Sequence, residues 1–213
     1  MLSSRFRYIA VEGPIGVGKT SLAHRLARHL NAELLLENPA DNPFLPHFYE
    51  DRQRFALPAQ LFFLLARAEQ VRNLSQGRLF APLTVADYIL EKDSLFARLN
   101  LDEAEFRLYQ QLYEGLRPQS ISPDLVIYLQ APTEALLERI RRRKRDYERT
   151  LSETYVSDLA RSYSEFFYHY DAAPLLIVNT ERLNFADRET DFHLLLDRIR
   201  DMRGAREFFN MGA

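Results

Sequence analysis

The stretch VEGPIGVGKTSLAHRL, Val11 to Leu26, limits what this chain can fold into more than any other. Gly13, Gly18, Lys19 and Thr20 follow the spacing G-x-x-x-x-G-K-[ST], with Gly16 inside it. Such a loop works only between a buried strand and the start of a helix. Its glycines let the backbone curl until the N–H groups point inward, and the helix terminus adds positive potential for a phosphate. The flanks have that character, with YIAVEG before the loop and SLAHRLARHL after it. Gly13, Pro14, Ile15, Gly16, Val17, Gly18, Lys19, Thr20 and Ser21 are therefore the expected nucleotide phosphate site. Lys19 is placed on the β- and γ-phosphates, and the Thr20 hydroxyl is a ligand for Mg²⁺. A glycine-rich turn with an incidental lysine is the alternative, and both flanking elements argue against it. The loop alone does not separate ATPases, GTPases, nucleotide kinases and nucleoside kinases.

Short apolar runs recur along the chain at 8–13, 32–37, 83–89, 124–131 and 174–180. Runs this continuous suit strands covered on both faces of a parallel sheet. Helical patterns separate them, near 18–30, 43–50, 53–76, 102–117, 133–143, 152–170 and 187–203. The alternation predicts an α/β three-layer domain with a five-stranded parallel sheet. Pro123 and Pro174 precede strands, Asn100 or Asp102 can cap the helix that follows, and Gly204 marks the end of the last helix.

The 213 residues suffice for a single domain spanning 1–213, and the balance of 46% hydrophobic and 27% charged residues is that of a globular protein. A net charge of −2 gives no reason to expect nucleic acid or an anionic membrane as partner. The absence of cysteine excludes disulfides and thiolate metal sites. No signal-peptide pattern and no spanning apolar run is present, so a soluble cytoplasmic protein is expected.

In an open parallel sheet, ligands sit beyond the carboxyl ends of the strands. The second run ends in Glu37 and the third carries Asp87. A carboxylate closing an apolar run is costly to bury unless paired or bound to metal. Glu37 can take a proton from an attacking hydroxyl, and Asp87 can hold Mg²⁺; each can also simply cap a loop. Further on, LLERIRRRKRDYER holds Arg139, Arg141, Arg142, Arg143, Lys144, Arg145 and Arg149. A solvated helix face is one reading of that run. A lid over a phosphoryl group, at about 139–151, is the other, with Arg139, Arg143 and Arg145 favoured for function. In FALPAQLFFLLARAEQ, Gln60 and Arg67 lie two helical turns apart on one face. Gln60 can pair with adenine or cytosine and Arg67 with the acceptors of guanine. Phe62, Phe63, Phe44 or Phe48 can flank a base; partial exposure of Gln60 and Arg67 beside an ordinary aromatic core is the other reading, and the plainer one.

Taken together, these spacings resemble the deoxynucleoside kinase family, most of all its bacterial purine-type members, over about residues 6 to 200. The resemblance implies a P-loop kinase fold with an arginine-rich lid. It also implies ATP with Mg²⁺ as cofactors and phosphorylation of the 5′-hydroxyl of a deoxynucleoside. It makes Glu37 the general base, Lys19, Arg139, Arg143 and Arg145 the catalytic cations, and Thr20 and Asp87 the metal ligands. Tyr49, eleven residues before Gln60, and Glu148 after the lid arginines would bind the 3′-hydroxyl. Gln60, Arg67 and Asp93, six residues past Asp87, would face the base. A homodimer is implied as well. One departure stands out. The family usually has Asp/Glu-Arg-Ser after its third strand, whereas this chain has Asp87-Tyr88-Ile89, so the role of that arginine passes to a lid arginine or is lost. A thymidylate-kinase-type monophosphate kinase is the first alternative, but ENPADNP lacks a cation for the acceptor's phosphate. A regulatory NTPase is the second, but the chain has no N-K-x-D guanine motif.

Overall fold

The computed structural model describes residues 5–77, 83–116, 122–148 and 150–210. Arg149 and the last residue of the helix expected over 102–117 lie outside them. Six strands form one sheet: β1 (Tyr8–Glu12), β2 (Glu33–Leu35), β3 (Thr84–Ala86), β4 (Leu125–Gln130), β5 (Leu175–Asn179) and β6 (Arg206–Phe209). Their order is β2-β3-β1-β4-β5-β6, and every neighbouring pair is parallel. The register sets Ala10 against Ala86 on one side and Val126 on the other.

The helices are α1 (Lys19–Leu30), α2 (Leu45–Glu50), α3 (Arg52–Gly77), α4 (Lys92–Asn100), α5 (Glu103–Leu116), α6 (Thr133–Arg143), α7 (Glu153–His169) and α8 (Glu189–Asp201). Alternation along β1 divides the core between the two faces of the sheet. Ile9 and Val11 join the cluster of Leu22, Leu26, Leu136, Leu195 and Ile199, from α1, α6 and α8. Tyr8 and Ala10 face Phe48, Ala59, Leu159, Tyr163 and Phe167, from α2, α3 and α7. A smaller cluster of Leu64, Ala97 and Tyr109 ties α3, α4 and α5 together. The three layers expected from the sequence are present. No helix among the described residues is long and apolar enough to cross a membrane.

Three elements depart from the expectation. The sheet has six strands, not five. β6 reads REFF and alternates between exposed and partly buried positions at the sheet edge, so it never forms an apolar run. Gly204 is not the end of the last helix. α8 stops at Asp201, and Gly204 lies in the turn into β6, where Glu207 Oε1 accepts from the Arg203 and Gly204 N–H groups at 2.7 Å each. α4 was not expected at all. By contrast, Asp102 caps α5, with Oδ1 accepting from Ala104 N and Glu105 N at 2.8 Å each.

The chain leaves β1 for β2 and β3 on one side, then crosses to β4 on the other. This is the switch point at which open α/β sheets bind ligands. Glu12 is the last residue of β1, Asp87 is the first past β3, and Glu37 is the second past β2.

Candidate active site

The phosphate loop lies tight against its neighbours. Gly13 has φ +148°, and a Cβ there would lie 2.3 Å from Leu129 O of β4. Gly16 has φ +87°, and its Cβ would lie 2.8 Å from Leu136 O of α6. Only glycine fits either position. Lys19 Nζ donates to Gly13 O at 2.6 Å and Pro14 O at 3.1 Å, which closes the loop on itself. Burial, aided by the nearby charge of Lys92 and opposed by Glu12, Asp87 and Glu37, lowers the Lys19 pKa to about 8.

Thr20, the second residue of α1, turns its hydroxyl toward the end of β3. Its Oγ1 donates to Asp87 Oδ2 at 2.6 Å, and Asp87 Oδ1 accepts from Glu37 N at 2.8 Å. One carboxylate thus joins the loop to the backbone that carries Glu37. Thr20 and Asp87 form a hard oxygen pair at the loop edge, and that donor set suits Mg²⁺ completed by phosphate oxygens and water.

Glu37 is held from both sides. Arg67 donates to its Oε1 and Lys92 Nζ to its Oε2, the latter at 2.8 Å. Burial would raise the Glu37 carboxyl, but the charges of Arg67 and Lys92 outweigh it and hold the pKa at about 2. Arg67 also donates to Asp93 Oδ1, so one guanidinium joins two carboxylates. Lys92 lies 4.0 Å from Glu12 Oε2. Glu12 is fully buried and accepts from Gly13 N, Tyr163 Oη and Ile89 N.

These groups open into a cavity of about 500 Å³, within the range of small-molecule sites. Lys19, Thr20, Glu37 and Asp87 form one end of its wall. Gln60, Phe63, Arg67 and Phe96 line it too, as do Tyr49, Arg143, Arg145 and Glu148. Gln60 and Arg67 are 3% and 4% exposed, so neither is a partly exposed surface residue. Phe48 and Phe63 line the cavity; Phe44 and Phe62 do not, and Phe96 of α4 does. Asp93 is fully buried behind Arg67 rather than on the wall. Tyr49 and Tyr147 have parallel rings 6.2 Å apart, which joins α2 to the lid. Burial, with Tyr155 and Glu148 adding to it, keeps the Tyr49 hydroxyl protonated well above its ordinary range.

The three lid arginines separate. Arg143 donates to both oxygens of Glu148, from Nε at 2.6 Å and from Nη2. Arg145 donates to Tyr147 Oη at 3.0 Å and lies 3.8 Å from Glu148. Arg139 points elsewhere. It donates to Thr180 Oγ1 at 2.9 Å, Thr180 O at 2.5 Å and Val17 O at 3.3 Å. It lines a second cavity of about 680 Å³, which the phosphate loop shares through Gly16, Gly18, Thr20 and Ser21; Arg143 and Arg145 line both cavities, Arg139 the second alone. The loop thus lies between two cavities, one on the Glu37 side and one on the Arg139 side.

Sequence reasoning missed Lys92, Phe96 and Tyr155, all on the wall of the first cavity. The signal for Lys92 was its place, five residues after Asp87 and beside Asp93. Tyr88, where an arginine was missed, is buried; its hydroxyl donates to Gln70 Oε1, and Gln70 Nε2 donates to Leu36 O at 3.2 Å. It braces the chain just before Glu37.

Comparison with known proteins identifies the family. The family model described as deoxynucleoside kinase matches residues 9–202. A deoxyguanosine kinase of Lactobacillus acidophilus is 30% identical over 208 residues, covering 91% of this chain and 89% of its own. A deoxyguanosine kinase of Bacillus subtilis is 28% identical over 200 residues, 92% of this chain and 97% of its own. Among solved structures, a deoxyadenosine kinase from M. mycoides with bound dATP superimposes with a TM-score of 0.78 at 27% identity, covering 91% of this chain and 100% of its own. The same enzyme with products dCMP and dCDP gives a TM-score of 0.80 at 25% identity, covering 92% and 100%. With the family model matched over most of its length, the chain belongs to the deoxynucleoside kinase family.

Proposed function

We propose that this chain transfers the γ-phosphoryl group of ATP to the 5′-hydroxyl of a purine deoxynucleoside. One observation carries the reading: Glu37 stands in a single cavity with Lys19, Thr20 and Asp87 at one end and buried Gln60 and Arg67 further along it. A nucleoside whose base meets Gln60 and Arg67 has its sugar near Tyr49 and Glu148 and its 5′-oxygen toward Glu37. Asp93 acts through Arg67, which it orients. The relatives named for deoxyguanosine and deoxyadenosine support a purine.

The phosphate loop and Lys19 hold the triphosphate, and Arg139 belongs to the donor side. Thr20 and Asp87 would hold Mg²⁺, which would supply charge neutralisation on the triphosphate. Arg143 and Arg145 reach the γ-phosphoryl group as the lid exchanges Glu148 for phosphate. A carboxylate held near 2 is a weak base. That is sufficient for a loose transition state, in which the 5′-proton leaves late and positioning dominates. The relatives named for deoxyguanosine and deoxyadenosine favour a nucleoside over a monophosphate as acceptor.

We further propose that the chain works in the cytoplasm as a homodimer. Leu65 of α3 and Leu108 and Leu112 of α5 are exposed on adjoining helices, and sedimentation tests whether they meet a second copy. The activity is tested with labelled ATP, the four deoxynucleosides and their monophosphates. The expected result is a 5′-monophosphate from deoxyadenosine or deoxyguanosine and nothing from the monophosphates. Turnover of a monophosphate alone would contradict the reading.

A further inference from the structure

We propose that Lys92 is a catalytic residue whose ammonium contacts the transferring phosphoryl group from the acceptor side, opposite Lys19. The inference rests on the kinase reading above and names a residue that neither the phosphate loop nor the lid contains.

Lys92 is the first residue of α4, and its side chain is 3% exposed. It does not run to solvent, as a lysine at a helix start ordinarily does. It turns into the cavity and stands on the same wall as Lys19, Thr20, Glu37 and Asp87. Burying an ammonium is costly unless it is paired. The pairing here is not forced by its neighbours. Glu37 already has Arg67 on its other oxygen, and Glu12 already accepts from Gly13 N, Ile89 N and Tyr163 Oη. Among the described residues, Glu37 is the one hydrogen-bond partner of the Lys92 ammonium, which has three donors.

The neighbouring charges point the same way. Lys19 and Lys92 stand on the wall of one cavity. Two cations held together in this way suit an anion between them. A phosphoryl group in transfer is such an anion, with charge spread over three equatorial oxygens. The lid cannot fill this place without rearranging, since Arg143 is bound to Glu148 and Arg139 to Thr180. Lys92 is already there. The Tyr88 ring lies 5.9 Å from its Nζ, and the phenol is tied to Gln70. The residue that stands where a guanidinium was missed therefore helps to wall in a different cation.

The step balances. The 5′-oxygen forms its bond to the γ-phosphorus while the bond from that phosphorus to the bridging oxygen breaks, leaving its electron pair on ADP. The 5′-proton passes to Glu37. As charge develops on the phosphoryl group, the Lys92 ammonium, which has donors beyond the one bound to Glu37, contacts an equatorial oxygen.

The chain has no cysteine, so Lys92→Cys introduces a unique thiol. Alkylation with 2-bromoethylamine rebuilds an ammonium at nearly the length of lysine; bromoethane gives a neutral adduct of similar shape. Lys92→Cys is expected to lower kcat by about 10²-fold or more, the usual cost of removing one group that stabilises developing charge. KM for ATP and nucleoside should stay within about threefold, the pattern of a contact made in the transition state. The aminoethylated protein should recover most of the rate and the ethylated protein none. Should Lys92→Cys fail to fold, the unfolded chain is alkylated both ways and refolded, and the two adducts are compared. Equal activity of the adducts, a loss confined to KM, or a kcat within a few-fold of wild type overturns the proposal. A second comparison separates direct contact from mere positioning of Glu37. In a Glu37→Gln background, direct contact still costs about tenfold or more on Lys92→Cys, whereas positioning alone costs nothing. Wild-type protein inactive on every deoxynucleoside would reject the kinase reading itself, an outcome distinct from active wild type with an indifferent Lys92.

Discussion

The Arg67 guanidinium is bound to the Glu37 carboxylate, so the wall that would receive a base is joined directly to the group that would receive the 5′-proton. Base recognition and chemistry therefore share one ion pair. Glu37→Gln should lower kcat by about 10²-fold or more while leaving ATP affinity near wild type, as loss of a general base does. Single-turnover rates with saturating nucleoside check this; a near wild-type rate would remove Glu37 from the proton transfer.

The Glu37 pKa of about 2 has a consequence for pH. The base is active when deprotonated, and protonation sets in only as pH falls toward 2. The kcat profile should therefore stay flat through Glu37 from pH 8 down to 5. An acid limb centred between 5 and 6 that disappears in Glu37→Gln would contradict the ion-pair picture.

Lys19 gives the opposite limb. Its pKa in the free protein is about 8, and the protonated form is the one that binds phosphate. ATP affinity should fall as pH rises above 8, by roughly tenfold per pH unit where one proton must be taken up on binding. Calorimetry between pH 7 and 9.5 measures it. Lys19→Met should bind weakly at every pH and lose the slope.

Tyr49 faces the cavity beside Glu148, with its hydroxyl kept protonated by burial. Tyr49→Phe should raise KM for 2′-deoxynucleosides and weaken discrimination against 2′,3′-dideoxynucleosides by about tenfold or more, since a site built to pair a hydroxyl rejects its absence. The ratio of deoxy to dideoxy kcat/KM is the measurement, and an unchanged ratio removes Tyr49 from the sugar site.

The Arg143–Glu148 pair sets the lid's resting position. Arg143→Ala should lower kcat on the order of 10²-fold with little change in nucleoside KM. A loss of only a few-fold would mean that the lid arginine stays with Glu148 throughout turnover.

Much of this site was legible in the sequence because its residues sit where periodicity and strand ends put them. The loop, the paired positions of Gln60 and Arg67, and the carboxylates after β2 and β3 all follow from local rules. Lys92 did not, because EKD reads as a solvated charge run, and only the packing of α4 against α3 and α7 turns it inward. β6 escaped because an edge strand has no need of a continuous apolar run. Arg139 shares a helix face with Arg143, yet Thr180, far along the chain, draws it to the other side of the phosphate loop. In each case the deciding contact comes from a distant segment, which spacing cannot show.

The account turns on the 5′-hydroxyl as acceptor. The most direct measurement is transfer of label from γ-labelled ATP to 2′-deoxyadenosine, 2′-deoxyguanosine and their 2′,5′-dideoxy counterparts. The expected result is labelled monophosphate from at least one deoxynucleoside and none from either 2′,5′-dideoxy compound. Label on a 2′,5′-dideoxynucleoside, or none on any nucleoside while ATP is consumed, would contradict it.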